Sequence, residues 1–538
     1  MSNCQHCGTP LGISARFCKN CGKPATGQSE ALQAQQRNIN LSGVTRVALG
    51  STLFVVAHHL AQSLRSNLEL KGIKPLAIIS DEDAEHIQAK ARLALNTQKN
   101  KGLKYICLIG NWDEVPPYVI PAPEGINDGD EFCRTDSSYG CVNAYDADDI
   151  FSAIPDYPVG RIPSTNIDVV LNALFQGTEH VDSESLFLFG VSAEEWNEAS
   201  ETIIDRFLGG AAQSSLIEEP ESTQGIPTAA VLSSPDWYEN DLRSKSHKGI
   251  SKPHGIVLFN VHGGADEPYW VGQRGGDYPK IFEPGTVSNF NSSTIVCEAC
   301  YGGALGYDEP SVVEHFFENG GHTFVGSSTI AYGSSNCNIG AADLLALYFL
   351  NGLSQGMTTG EALSFAKMEV VSDDPLFDFI GQKTVLSFNL FGAPWHFRKK
   401  TRSAPAPRQS ATPSGENLLD QIRNRRTPIL SGLNNPLDAI REQYRARLPE
   451  KNKKFLMDKE EALKALRGFK DYDLIESQIA DWGGDLGDVS LSFISNDDES
   501  GYSLFSDAFG FKNTKKTMIL LMDAQGNLKK TLTSKEIG

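Results

Sequence analysis

This chain of 538 residues lacks several things, and each absence removes a class of function. No apolar run approaches the ~20 residues needed to cross a bilayer, so no membrane span is expected. Positive charge is in short supply: 48 Lys and Arg stand against 67 Asp and Glu, a formal net charge of −19. A surface of that sign repels phosphates, which argues against a nucleic-acid grip by the whole chain. The opening residues, MSNCQHCGTP, have no apolar core of an export signal. The expectation is therefore a cytoplasmic protein with no membrane partner. Ten cysteines in such a chain point to metal or thiol chemistry in a reducing compartment, not to disulfides. With 40% hydrophobic and 21% charged residues the bulk is globular, with room for two to four domains.

What is present divides the chain. Residues 1–24, MSNCQHCGTPLGISARFCKNCGKP, carry two C-x-x-C knuckles, Cys4 with Cys7 and Cys18 with Cys21, each followed by a glycine. Four thiolates so spaced suit one tetrahedral zinc in a closed structural site, and a segment this short needs the metal to fold. It reads as a zinc ribbon; the competing reading is a redox dithiol pair. Residues 25–42 are a polar linker. From 43 to 397, short apolar runs alternate with helical stretches, as in an α/β sheet with crossovers. Expected strands are KYICLIG (104–110), SLFLFGV (185–191), GIVLFNV (255–261), TIVCEA (294–299) and HTFVGSS (322–328). Each is nearly continuous in apolar residues, as strands buried on both faces are. Helices are expected over 193–208 and 341–353. Residues 398–415, basic and rich in Pro, Ser and Ala, read as a flexible linker open to proteolytic nicking. Residues 416–538 form a small α+β unit, expected to be regulatory or partner-binding, with KEEALKALRGF helical and KKTMILLMDAQGNLKKTLTS reading strand, turn, strand.

Two of the strands run into reactive residues. GIVLFNV leads to His262-Gly263-Gly264, and TIVCEA to Cys300-Tyr301-Gly302-Gly303. In an open parallel sheet such groups gather beyond the carboxyl ends of strands, so neighbouring strands would set His262 beside Cys300. An imidazole is what a thiol needs to act as a nucleophile at neutral pH. Glycines let the backbone turn and expose amides, and those of Gly263 or Gly264 and of Cys300 could hold an oxyanion. Side chains alternate along a strand, so Glu298 shares a face with Cys300 and Cys297 points the other way, into a core. A carboxylate at the end of an apolar strand must be paired or wet. Glu298 is thus either half of a structural salt bridge or a wall of a specificity pocket. Glu114, or its neighbour Asp113, could orient His262 from the NWDEVPPY loop, unless it is an ordinary solvated acid. Asp128, Asp130, Asp146, Asp148 and Asp149 offer oxygen ligands to calcium, but without the spacing of a calcium loop they read as a solvated acidic loop.

The elements HGG with Trp270 and EACYGG resemble the His and Cys motifs of caspase-like (clan CD) cysteine peptidases, and of the gingipain family in particular. ICLIGNWDEVPPY (106–118), TDSSYG (135–140), DIFSAIPDYPVGRIP (149–163), GSSTIAYG and NLFGAPW are similar to further elements of that family, in order, over roughly residues 45–397. The resemblance implies a mostly parallel sheet sandwiched by helices, a Cys300/His262 dyad and a protein or peptide substrate. It also implies a pocket residue two positions before the nucleophile, Glu298, with an acidic residue there favouring cleavage after Arg or Lys. Asp136 matches a second acidic pocket residue of the family, and Tyr332 an aromatic wall. Family members are mostly secreted, whereas this chain carries a zinc ribbon. The expectation is a peptidase held inactive until triggered, with a protein partner reached through the ribbon or the C-terminal unit. Basic residues in RKKTR (398–402) and RNRR (423–426) make the 398–426 region a candidate for self-cleavage. The alternative is a catalytically silent scaffold or regulatory protein of the same fold.

Overall fold

The computed structural model describes residues 43–99, 101–124, 126, 128–176, 188–207, 229–233, 255–265, 267–284, 294–306, 310–373, 378–396, 453–496, 499–509 and 515–535. The expected zinc ligands Cys4, Cys7, Cys18 and Cys21, the 25–42 linker and the whole 398–426 region lie outside them.

The strands of the larger unit begin with β1 (Thr52–Val56), β2 (Ala77–Ile79), β3 (Tyr105–Ile109), β4 (Tyr118–Pro121) and β5 (Phe132–Thr135). There follow β6 (Val159–Ile162), β7 (Leu188–Ser192), β8 (Ala229–Ser233), β9 (Ile256–Asn260) and β10 (Trp270–Val271). The last are β11 (Lys280–Phe282), β12 (Thr294–Cys297), β13 (Thr323–Ser327), β14 (Tyr332–Ser334) and β15 (Phe388–Gly392). Ten of them form one sheet in the order β2-β1-β3-β6-β15-β13-β12-β9-β7-β8. All neighbours pair in parallel except β13 with β15, which run antiparallel. The sheet is therefore two parallel halves set head to tail, and the carboxyl ends of β1, β3 and β6 lie at the opposite edge from those of β9, β12 and β13.

β1, β9, β12, β13 and β15 are buried along their whole length, which is why their sequences are nearly continuous apolar runs. Alternate residues feed separate cores. Val257, Phe259 and Cys297 enter one, while Ile256, Leu258, Val296 and Cys300 enter the other. Cys297 is fully buried, as expected of a core thiol, and burial pushes its pKa well up.

The C-terminal unit comprises β16 (Lys453–Leu456), helices Lys459–Leu466 and Tyr472–Trp482, then β17 (Ser490–Ser495), β18 (Ser500–Phe509), β19 (Lys515–Asp523) and β20 (Leu528–Ser534). Asp458 caps the first helix by accepting the Glu461 N–H, and Gly483 ends the second in the left-handed conformation, φ 89°. All its strands pair antiparallel in the order β14-β20-β19-β18-β17-β16. Its sheet thus takes β14 of the larger unit as an edge strand. Period-two alternation along β19 explains how it is covered on both faces. Met518, Leu520 and Met522 pack on the two helices through Leu466, Ile475 and Ile479. Ile519 and Leu521, with Phe505 and Leu532, join the core of the larger unit that contains Phe379 and Leu344. No helix among the described residues is long and apolar enough to cross a membrane.

Candidate active site

β9 and β12 are parallel neighbours, with Cys297 opposite Phe259. Carrying that register three residues past each strand brings Cys300 opposite His262. Two details hold the ends in place. His262 exchanges both backbone hydrogen bonds with Val271, at 3.0 Å each, which fixes the chain beyond β9. Gly263 lies so close to Cys300 that an added Cβ would collide with the Cys300 carbonyl oxygen, so only glycine permits the approach. After Cys300 the chain turns sharply. Tyr301 adopts φ 54°, a left-handed conformation costing a side-chain-bearing residue ~1–3 kcal/mol. Its hydroxyl donates to Asp130 Oδ1 at 2.8 Å, which anchors the strained turn.

Both reactive side chains are enclosed. His262 is fully buried, its ring 4.4 Å from that of Trp196 and 5.5 Å from that of Tyr278, with Nε2 3.2 Å from Gln273 Oε1. Cys300 is 1% exposed, and the Ala331 N–H points at its Sγ from 3.2 Å, a donor able to share the charge of a thiolate.

Beside them is a charged pocket, and the chain's own Lys535 is in it. The Lys535 ammonium donates to Glu298 Oε2, to Asp343 Oδ1 at 2.8 Å and to Asn260 Oδ1 at 2.7 Å, so its three protons meet three acceptors. Lys535, Glu298, Asp343 and Asn260 are all fully buried. Burial alone would lower the lysine's pKa, but Asp343 and Glu298 outweigh it and hold the ammonium above the ordinary value. Burial raises the pKa of Glu298 and Asp343 beside it pushes the same way, while the Lys535 ammonium bonded to Oε2 favours the carboxylate form. Asp343 is fixed in turn by the N–H groups of Ser334, at 2.6 Å, and Gly340, at 3.3 Å. Gly333 is the pocket floor: a Cβ there would run into Lys535 Cε and Nζ and lie 2.6 Å from Asp343 Oδ1.

The backbone of the same lysine completes the picture. Its carbonyl oxygen accepts N–H bonds from Gly263, at 2.9 Å, and Cys300, at 3.3 Å, while its own N–H donates to Ala331 O at 3.0 Å. Upstream, β20 lies antiparallel on β14, with Ser534 opposite Tyr332, Thr533 opposite Gly333 and Leu532 opposite Ser334. Trp196 Nε1 donates to Thr533 Oγ1 at 3.0 Å. An extended strand therefore occupies the cleft, its last described residue with the side chain between two carboxylates and the carbonyl on two amides.

Some expected residues are elsewhere. Asp136 is not in this pocket: both its oxygens accept from Arg161, Nε and NH2 each at 2.7 Å, and the pair is buried. Its charge is already matched by a buried guanidinium, and the acid beside Glu298 is Asp343, bonded to the same ammonium. Glu114 is not brought to His262. It contacts His59 at 3.4 Å and accepts the Asn111 N–H, because β3 belongs to the half of the sheet that runs the other way. Of the two glycines expected to bind an oxyanion, Gly263 carries the amide aimed at the carbonyl. Gly264 only accepts the Glu267 N–H, at 3.4 Å. Tyr332 is buried beside the cleft, but its hydroxyl donates to Asp128 Oδ2 at 2.7 Å, and it contributes its strand backbone to β20. The acidic stretch is not all solvated. Asp128 is buried and shares the Lys383 ammonium with Asp130, and the two carboxylates hold that lysine's pKa up despite burial. No group of three or more metal-ligating side chains occurs among the described residues. Asp343, Asn260, Gly333, Gln273 and Lys535 are the site residues that sequence reasoning missed.

A thiol and an imidazole next to paired amides, with a pocket for one side chain, is the equipment of a cysteine endopeptidase. Residues 78–395, more than half of the chain, match the family model described as Peptidase family C25, and the chain belongs to that family of cysteine endopeptidases. Among curated proteins none matches. Similar solved structures include the Arg-specific cysteine proteinase gingipain R, at 10% identity and TM-score 0.46, covering 90% of this chain and 97% of that one. Another is the complex of RgpB pro- and mature domains from Porphyromonas gingivalis, at 10% identity and TM-score 0.46, covering 89% and 99%.

Proposed function

We propose that the chain cuts peptide bonds after lysine or arginine, with Cys300 as nucleophile and His262 as its acid–base partner. His262 takes the thiol proton, the thiolate adds to the scissile carbonyl, and the Gly263 and Cys300 amides hold the oxyanion. The imidazolium then protonates the leaving amine, and water releases the acyl group. Glu298 and Asp343 select the cation before the cut, with Asn260 as a neutral third acceptor. The observation that carries this reading is the placement of Lys535, whose carbonyl and ammonium meet the two halves of the site at once. Arginine suits the same pocket, since Glu298 Oε1 is buried with no donor among the described residues and a guanidinium has protons to spare. Fluorogenic peptides ending in Arg, Lys or Asp test the assignment. A preference for Asp would remove the pocket reading and leave the dyad standing.

The cleft is held inactive at rest, and the basic 398–426 region is a site of self-cleavage. Such a cut would release a fragment of roughly 12–16 kDa, at ~110 Da per residue, that Cys300→Ala would not produce. The four N-terminal cysteines hold one structural zinc, supported by their number and spacing. Metal analysis of the purified chain should find about one zinc, lost in Cys4→Ser with Cys7→Ser. A cytoplasmic location, and a regulatory protein bound through the ribbon or the C-terminal unit, complete the reading. A pull-down that recovers no protein dependent on either part would count against the partner.

A further inference from the structure

The C-terminal strand lies in the cleft as a substrate must. Peptide ligands of extended form bind by adding a strand, main-chain bonds supplying affinity and pockets supplying choice. β20 does this on β14, and Lys535 brings the one side chain that a pocket with two carboxylates requires. Its carbonyl is not merely near Cys300 but accepts the Cys300 and Gly263 amides, the contact reserved for a carbonyl under attack.

We infer that the chain's own C-terminal strand is the first substrate of this site, cut at the Lys535–Glu536 bond, and that it then stays in the cleft as the enzyme's inhibitor. The inference rests on the lysine- and arginine-directed reading above and extends it to a particular bond. Cys300 Sγ bonds to the Lys535 carbonyl carbon, the bond to the Glu536 nitrogen breaks, and His262 delivers the proton that the leaving amine takes. One water then hydrolyses the thioester, leaving a carboxylate on Lys535 and returning the thiol. No other reactant is needed.

The strand is retained because cutting after Lys535 leaves its hold upstream untouched. Leu532, Ile519, Leu521 and Phe505 remain in the shared core, and the β14 pairing and the Trp196 bond to Thr533 remain too. A tethered occupant has an effective concentration on the order of millimolar. Even if it bound only at about 10 μM, a value in the range of ordinary substrates, it would suppress cleavage of other peptides about 100-fold.

The test uses the full chain. Mass measurement of the C-terminal segment should show wild type ending at Lys535 and Cys300→Ala still carrying the residues beyond it. Lys535→Arg should still be cut and still be latent. Lys535→Met keeps the stem but loses the ammonium, so it should keep the residues that follow position 535 and cleave arginine peptides at least tenfold faster than wild type. If Lys535→Met fails to fold, Thr533→Val, which removes the Trp196 bond, should raise the rate in the same direction. Wild type that keeps the residues beyond Lys535 while it cleaves arginine peptides would overturn the self-cutting. Latency unchanged in both Lys535→Met and Thr533→Val would overturn the inhibition. Arginine peptides left uncut by every variant, with Cys300 inert to a thiol-reactive peptide probe, would remove the peptidase reading beneath both.

Discussion

Gly333 is the position where one methyl group should separate specificity from chemistry. Its backbone has no positive φ, so alanine fits the chain; what it does not fit is an occupied pocket. The new Cβ would take the place of a lysine's Cε and Nζ and crowd Asp343 Oδ1 at 2.6 Å. An ammonium kept out of the pocket loses three charge-assisted hydrogen bonds, to Glu298, Asp343 and Asn260. Such bonds are worth about 1.5–3 kcal/mol each, so losing even two costs ~3 kcal/mol at the low end. At 1.36 kcal/mol per factor of ten, kcat/KM for lysine and arginine peptides should fall at least ~150-fold. The comparison belongs in the Lys535→Met background, where no resident cation fills the pocket. Cys300 alkylation by a small reagent should keep its rate, and a peptide with alanine before the cut should lose less than threefold, because neither uses the pocket. A fall of under tenfold for lysine and arginine peptides would refute the claim that Gly333 floors the specificity pocket.

Three further outcomes follow from the same geometry. Glu298→Gln and Asp343→Asn should each cut kcat/KM for lysine peptides by ~10–100-fold, the worth of one charge-assisted bond, measured with the same peptide series and with alkylation of Cys300 as the control. Asp136→Asn should instead destabilise the fold by about 3–5 kcal/mol, because it leaves Arg161 buried without its partner, and should leave the lysine-to-arginine preference alone; thermal unfolding and the peptide series read the two parts. Lys367 is fully buried, donates to Ser137 Oγ at 2.7 Å, and burial lowers its pKa from 10.5 to about 7. Between those values the unfolded chain holds a proton that the native state does not, so this residue makes stability rise with pH from about 7 to 10.5. Lys367→Met should flatten that rise in a series of urea melts, and an unchanged slope would show that Lys367 is charged in the native state.

What the sequence made legible was local. In TIVCEAC the alternation of a strand separates Cys297 from Cys300, and the two thiols do go to opposite cores. The glycines after His262 and Cys300 announce sharp turns, and Gly263 is where two backbones meet. Partners distant in the chain were not legible. Asp343 opens a helix and looks like any acid in a first turn, with nothing local to point it at Glu298. Lys535 reads as a solvated tail residue until β20 is seen on β14. Glu114 was misplaced because no residue marks the antiparallel joint between β13 and β15, which turns half the sheet around. Asp136 could have been placed correctly: Arg161 sits in the apolar strand VGRI, and a guanidinium buried there demands a carboxylate.

The way β20 is held limits how the cleft can be opened. It is not a loose tail: β19 flanks it on one side and β14 on the other, and Leu532 is buried in the core shared by the two units. Vacating the cleft therefore means either stripping β20 from both neighbours or moving the C-terminal sheet as a body with β20 attached. The second route keeps the β19–β20 ladder and the helix-covered core of Met518, Leu520 and Met522, and breaks only the β14 pairs, the Lys535 contacts and the shared apolar face. It gives up fewer interactions. A trigger that binds the face bearing Ile519, Leu521 and Phe505 would compete directly with the larger unit for that surface. Substitutions there, such as Phe505→Ala, should consequently raise the cleavage of added peptides even though Phe505 is none of the residues that bond to Lys535. The same substitution made on the opposite face, Leu520→Ala, should unfold the C-terminal unit instead, which limited proteolysis would separate from simple undocking.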